Sequence, residues 1–313
     1  MRLSEIIGQY VAYKQSMGMR FHTEARTLKS FCQAMGDLPI TEVQADRVAD
    51  FLAGTGAVTR FWHRKQEALR GFYRFAIARD YVTTSPLPSR APQPPRAFVP
   101  YIFSHDELRR LLDNAAFLDD NSRSHVQFHT CRTLILLLYG AGLRISEALS
   151  LTLGDVNLTT GILTIRESKF YKTRLVPIGA DLIRTVTSYL AKRAMDQPTQ
   201  PDAPLFVSRT GTPVTRQAAE NTFRRLRVRA GVLRHDGARY QPRLHDLRHS
   251  FAVHRLVSWY RQGADVQRLL PKLATYLGHV HIAATQRYLT LTPELLDQAS
   301  RRFERYACEG RHE

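Results

Sequence analysis

Carboxylates are scarce in this chain relative to bases. Its 313 residues carry 28 Asp and Glu against 45 Lys and Arg, a net charge of +17. Such an excess predicts attraction to polyanions, of which nucleic acid is the commonest large one. The acids form none of the clusters that hold magnesium, and the histidines none of the spaced sets that hold zinc. We therefore expect no metal and no cofactor. Cysteine is nearly absent: Cys32, Cys131 and Cys308 are odd in number and widely scattered. That excludes a disulfide framework or a zinc-binding cysteine pattern and fits a reducing, cytoplasmic setting. No apolar run approaches membrane-spanning length, and the opening "MRLSEIIGQYVAYKQ" is amphipathic without a signal-peptide core. No internal repeat is visible either.

Proline is concentrated in one place. Residues 85 to 100, "SPLPSRAPQPPRAFVP", hold six of the 15 prolines and read as an extended linker. We place a first domain at residues 1–88, the linker proper at 89–100 and a second domain at 101–313. In the first, apolar residues recur at helical spacing: Leu3, Ile6, Ile7, Tyr10 and Val11; then Leu28, Phe31, Cys32 and Met35; then Leu69, Phe72, Tyr73, Ala76 and Ile77. Four or five helices are expected, with Thr41 and Thr59 as candidate caps. Basic residues Arg60, Arg64, Lys65, Arg70 and Arg74 crowd the last of them.

The second domain reads as mixed. Ser104 and Glu107 form a capping-box start, and "CRTLILLLYGAG" is apolar enough to be a buried central helix ended by Gly140 or Gly142. "GILTIRE" and "TRLVPIG" alternate like strands about the polar turn "SKFYK", predicting a hairpin. A helix capped by Thr215 follows, and residues 216 to 243 hold eight arginines and no lysine. Arginine presents a planar fork to phosphates and guanine edges, so this element is the expected DNA-facing one. Pro271 is expected to break a helix. Leu295, Ala299, Phe303 and Tyr306 share a stripe near the C-terminus, suited to a core or to a partner.

The stretch "RLHDLRHSFA" (243–252) sets His245 and Arg248 three residues apart, on one helix face. A metal would use the imidazole but be repelled by the guanidinium, whereas a phosphate suits both. His249 and His254 are assigned to other faces and read as structural. Arg144 in "GLRISEALSL", Lys169 in the turn, His279 in "LGH" and Tyr288 in "TQRYL" each have an ordinary explanation when taken singly: an ion pair with Glu147, an exposed turn, a helix end, one tyrosine among 13.

Their order changes this. "GLRISEALSL", a turn lysine before "TRLVPI", "HDLRHSFA", "LGH" and "TQRYL" in succession resemble the tyrosine recombinase (phage integrase) family, in particular its Xer-like and transposon-encoded members, over about residues 100 to 300. The resemblance implies a mainly α fold with a small β-sheet. It implies a SAM-like helical core-binding domain and an integrase-type catalytic domain, together a C-shaped clamp on double-stranded DNA. It assigns Arg144, Lys169, His245, Arg248, His279 and Tyr288 to the active site, with DNA strands cut and rejoined through a 3′-phosphotyrosine. Tyr288 would be the nucleophile, the arginines the phosphate clamp, His245 the proton acceptor and Lys169 the acid, with Lys172 its rival in a turn that lacks the family's usual glycines. Other expected DNA contacts are Arg60, Arg64, Lys65, Lys172, Arg174, Arg216, Arg224, Arg225 and Arg227. The resemblance further implies a prokaryotic, nucleoid-associated protein that forms a homo-oligomer, a tetramer on DNA, with or without sister recombinases, its residues 293–313 serving as an interaction segment. The rival reading is a catalytically inactive DNA-binding relative that regulates or assists recombination. A type IB topoisomerase would share the chemistry, but the short chain favours a recombinase.

Overall fold

A computed structural model describes the chain apart from residues 57, 94–97, 117, 119–124, 167–172, 291–294, 298–299, 302–303 and 305–313. It divides into two compact units, Met1–Phe98 and Val99–Glu313.

The first unit is built from α1 (Leu3–Ser16), α2 (His22–Met35), α3 (Ala45–Ala53) and α4 (Arg60–Ile77). The helical apolar stripes read from the sequence meet in one core of Leu3, Ile6, Leu28, Phe31, Val48, Leu52, Leu69 and Phe72. Thr59 caps α4, its hydroxyl accepting from the Phe61 amide. Thr41 does not cap: it lies inside a 3-10 turn, Ile40–Glu42, and Gln44 occupies the N-cap position of α3. Arg60, Arg64, Arg70 and Arg74 are exposed along α4. Lys65 differs, because its ammonium donates to the Phe51 carbonyl and lies over the Phe51 and Phe61 rings. It ties α4 to the C-terminal end of α3.

In the second unit α5 (His105–Asn114) begins at the Ser104–Glu107 capping box. The central helix α6 (Phe128–Gly140) is buried along Leu134, Ile135, Leu137 and Leu138. After the short α7 (Ile145–Leu149) comes a three-stranded antiparallel sheet ordered β1 (Val156–Asn157), β2 (Ile162–Ile165), β3 (Arg174–Pro177). Its register pairs Leu163 with both Val156 and Val176, and Ile165 with Arg174. Buried Leu163, Ile165 and Val176 turn to the core. Then follow α8 (Ala180–Arg193), α9 (Arg216–Arg229, capped by Thr215), α10 (Leu244–Arg261), α11 (Val266–Leu277) and α12 (Ala283–Gln286), with a 3-10 turn at Arg287–Thr290.

Pro271 does not break α11; the helix runs through it. Asp265 caps the start, Gly278 ends the helix in the left-handed region, and Val266, Leu270, Leu273, Ala274 and Leu277 bury one stripe on both sides of the proline. That continuous buried face outweighs the single backbone hydrogen bond a proline forgoes. No helix among the described residues is long and apolar enough to cross a membrane.

Candidate active site

The site grows from the start of α10. Asp246, 1% exposed, accepts from the Arg243 backbone amide at 2.9 Å and from its guanidinium at 3.0 Å, fixing the first turn of the helix. One turn on, Leu247, Arg248, Phe251 and Ala252 face inward. Arg248 is buried, and its guanidinium donates to the Gly142 carbonyl at 2.7 Å and the Leu277 carbonyl at 2.5 Å. Burial, then repulsion by Arg144, lowers its pKa to about 10, so it keeps its charge at neutral pH.

Two glycines supply this frame. Gly142 has φ +60, and a Cβ there would lie 2.6 Å from the Phe251 ring. Gly278 has φ +68, its carbonyl accepts from Arg144 Nη2 at 2.9 Å, and a Cβ would lie 2.8 Å from Arg174 Nη1. The glycines of "AGLR" and "LGH" are thus where backbone carbonyls and guanidinium groups must approach closely.

Glu147 gathers the cations. It accepts from Arg144 Nη1 at 2.5 Å and takes a two-pronged contact from Arg174, at 3.0 and 2.8 Å; Arg248 lies 3.8 Å away. Burial would push this carboxyl up, but the Arg174 hydrogen bonds and charge, then Arg144, overcome that and hold it down at about 2. Arg174, expected on DNA, is instead committed inside the site, its Nε donating to the Tyr276 carbonyl. Glu147 organises the site, and the sequence reading gave it only a structural part.

Tyr288 sits in the Arg287–Thr290 turn, 3% exposed. Burial raises its hydroxyl pKa, and the Arg248 charge opposes that rise. Its hydroxyl lies 3.0 Å from Nδ1 of His249. His249 is therefore part of the site, which corrects its reading as a structural residue on another face. It is four residues from His245, one helical turn along the same face, and the two rings meet edge to face at 4.7 Å. Burial, then the Arg248 charge, lowers the His249 pKa to about 4, so the imidazole is neutral at pH 7. His279 stacks on Tyr288 at 6.1 Å between centroids and bonds through Nδ1 to the Thr285 hydroxyl at 2.7 Å; it too is held neutral, with a pKa near 4 from burial and Arg248. His254 faces away and bonds to the Tyr139 hydroxyl at 2.9 Å.

Arg144, His245, Arg248, His279 and Tyr288 are thus brought together. Lys169 and Lys172 fall in 167–172, outside the described residues. Beside this cluster an open cavity of about 570 Å³ is lined by Arg144, Arg216, Arg224, Arg227, Arg243 and His245, among others. Arg216 and Arg224 are exposed on α9, and Arg225 is exposed outside that lining. Arg227 is not a free surface cation: it is buried and donates to the Pro242 carbonyl, steadying the segment that leads into α10. Among the described residues no group of three or more His, Cys, Asp or Glu is placed to hold a metal ion.

The chain is 36% identical over 306 residues to the y4rB protein of Sinorhizobium fredii, covering 96% of each chain. It is 34% identical to the tyrosine recombinase XerC of Azotobacter vinelandii, covering 75% of this chain and 71% of that one. Its fold is similar to that of the Tn1549 transposon integrase solved with transposon right-end DNA, with a TM-score of 0.68 at 17% identity over 98% of this chain and all of that one. It is also similar to lambda integrase solved as a tetramer on a Holliday junction, with a TM-score of 0.65 at 17% identity over 92% and 77%. Residues 102–294, which contain every residue of the cluster, match the model of the phage integrase family. By that match and by its likeness to the Xer enzymes, the chain belongs to the phage integrase family of tyrosine recombinases.

Proposed function

We propose that this protein is a site-specific DNA recombinase that cuts and rejoins strands of double-stranded DNA through a phosphotyrosine on Tyr288. One observation carries the reading: a buried tyrosine hydroxyl lies against a neutral imidazole at the edge of a nest of arginines. Tyrosine keeps its proton at neutral pH and is a weak nucleophile until a base and a positive field act on it. A scissile phosphate placed by Arg144 and Arg248 meets both. Their guanidiniums neutralise the charge that grows on the non-bridging oxygens as phosphorus becomes five-coordinate, while His245 and His279 donate neutral hydrogen bonds. The phenolic oxygen bonds to phosphorus and the 5′-oxygen leaves, protonated by Lys169, which lies between β2 and β3 in the sequence. The new phosphodiester conserves the bond energy, so rejoining is the same path reversed and calls for no nucleotide cofactor.

The +17 charge, the arginine-lined cavity and the exposed face of α4 support duplex DNA as the partner, each unit contributing affinity through phosphate contacts. Oligomerisation on DNA and a cytoplasmic, nucleoid-associated setting belong to the same reading. Leu295 is fully buried in one apolar cluster with Phe251, Leu256 and Tyr288, and residues 293–313 are the proposed interaction segment, a coupler between neighbouring protomers.

The test uses a pool of random-sequence duplexes with one nick each, enriched through rounds of covalent capture. The wild type should give a protein–DNA band that survives SDS, also in excess EDTA. Tyr288→Phe should bind the recovered duplexes with unchanged affinity and give no band. A wild type that yields no adduct, or a Tyr288→Phe protein that yields it at full level, would remove the reading.

A further inference from the structure

We propose that His249 is a further catalytic residue, the group that takes the Tyr288 proton as the nucleophile attacks. This rests on the strand-cleavage reading above and changes its proton acceptor, for which His245 was the sequence-based choice. Among the described residues the Tyr288 hydroxyl makes its histidine hydrogen bond with His249 Nδ1, at 3.0 Å. His279 presents its ring face to the tyrosine, and its Nδ1 is engaged by Thr285. His245 is exposed and lines the open cavity.

The surroundings make His249 a base that acts only when substrate is present. Burial, then Arg248 on α10, Arg243 just before it, Arg287 beside Tyr288 and His279 just past α11 all disfavour an imidazolium there. In the free chain the ring is therefore neutral and able to accept. A bound phosphate brings negative charge beside the same groups, and more develops as phosphorus becomes five-coordinate, so the proton affinity of His249 rises along the reaction. The step balances within the site. The Tyr288 O–H bond breaks as Nδ1–H forms, the phenolic oxygen bonds to phosphorus, and the P–O5′ bond breaks with its electron pair leaving on oxygen. Lys169, the acid of the proposed function, protonates that oxygen. On rejoining, the imidazolium returns its proton to the phenolic oxygen as the tyrosine is displaced.

Two variants separate this role from mere positioning. His249→Asn puts a carbonyl oxygen close to the place of Nδ1, so it retains the hydrogen bond but takes no proton; His249→Ala does neither. With the nicked duplexes recovered above, single-turnover adduct formation at pH 7 should fall on the order of 100-fold in both variants. Binding should be unchanged, and the deficit should shrink as rising pH lets hydroxide remove the phenolic proton. An Asn variant within roughly threefold of wild type, as expected if the retained hydrogen bond were all that His249 supplies, would overturn the proposal while leaving Tyr288 as nucleophile. A second measurement uses the free full-length protein with ¹⁵N-labelled histidine. His249 should be neutral at pH 7 with its proton on Nε2, and Tyr288→Phe should shift the Nδ1 resonance. A proton on Nδ1 at pH 7 would equally overturn the assignment.

Discussion

The backbone carbonyl of Gly278 accepts a hydrogen bond from the guanidinium of Arg144, which lies 134 residues earlier in the chain. The contact is possible because α11 ends there in a left-handed turn, and because no side chain keeps Arg174 away from the same backbone. One glycine thus sets the approach of two arginines, one held by its carbonyl and the other lying where a Cβ would project.

Gly278→Ala should damage the site beyond its cost in strain. A left-handed alanine costs about 1–2 kcal/mol, and here its Cβ would also meet Arg174 Nη1 at 2.8 Å. Gly263 is the matched control, with φ +69 and nothing within 4 Å of a built Cβ. Gly263→Ala should lower the melting temperature and leave adduct formation near wild type. Gly278→Ala should lower adduct formation by about 100-fold, the scale of a misplaced clamp. Equal adduct yields from the two variants would show that Gly278 serves the turn alone.

Glu147 should matter to stability through its charge. Replacing it by Gln leaves the buried Arg248 and the largely buried Arg174 without their counter-ion, which should cost about 3–5 kcal/mol in urea unfolding. The sign with pH follows from its lowered pKa. The carboxyl titrates at about 2 when folded and near 4.5 when free, so its stabilisation is complete above pH 4.5 and is lost as pH falls towards 2. His249 and His279, lowered from 6.5 to about 4, act in a higher window: unfolding lets them take protons, so stability declines from pH 6.5 to 4. Wild type should therefore lose stability in two stages on acidification. Glu147→Gln should show a much smaller lower stage, since Asp155 is also held below the usual carboxylate range, and a surviving lower stage of full size would assign it to other carboxyls.

Much of the fold was legible because it is local. Thr59, Ser104 and Thr215 cap helices by contacts spanning two or three residues, and the alternation in β2 and β3 states its own face. What escaped depends on distant partners. Arg174 lies just past the charged turn "SKFYK" and looks like one more surface base; Glu147, 27 residues upstream, draws it inside. Arg227 sits in an arginine-rich helix but shares the inward face of Phe223 and Leu226. His249 did carry a signal, the one-turn spacing from His245. Its meaning came only from Tyr288, 39 residues further along. Pro271 misled because a proline penalty is local whereas the buried stripe that overrides it spans all of α11.

The roles of the turn lysines and the arginines separate by the atom each serves. If Lys169 protonates the leaving 5′-oxygen, its loss matters because an alkoxide leaves poorly. A thiolate leaves far more readily, since a thiol is a much stronger acid than an alcohol. Recovered duplexes carrying a 5′-bridging sulfur at the scissile phosphate should therefore restore adduct formation by Lys169→Ala. They should not restore Arg144→Ala or Arg248→Ala, whose charge is directed at the non-bridging oxygens, nor His249→Asn, whose proton comes from the nucleophile and not the leaving group. Lys172→Ala should be mildly impaired on both substrates, as a backbone-phosphate contact would be. Rescue of Lys172→Ala with Lys169→Ala still inactive would move the acid to the other end of the turn. Rescue of His249→Asn would move its proton to the leaving side and return the acceptor role to another group.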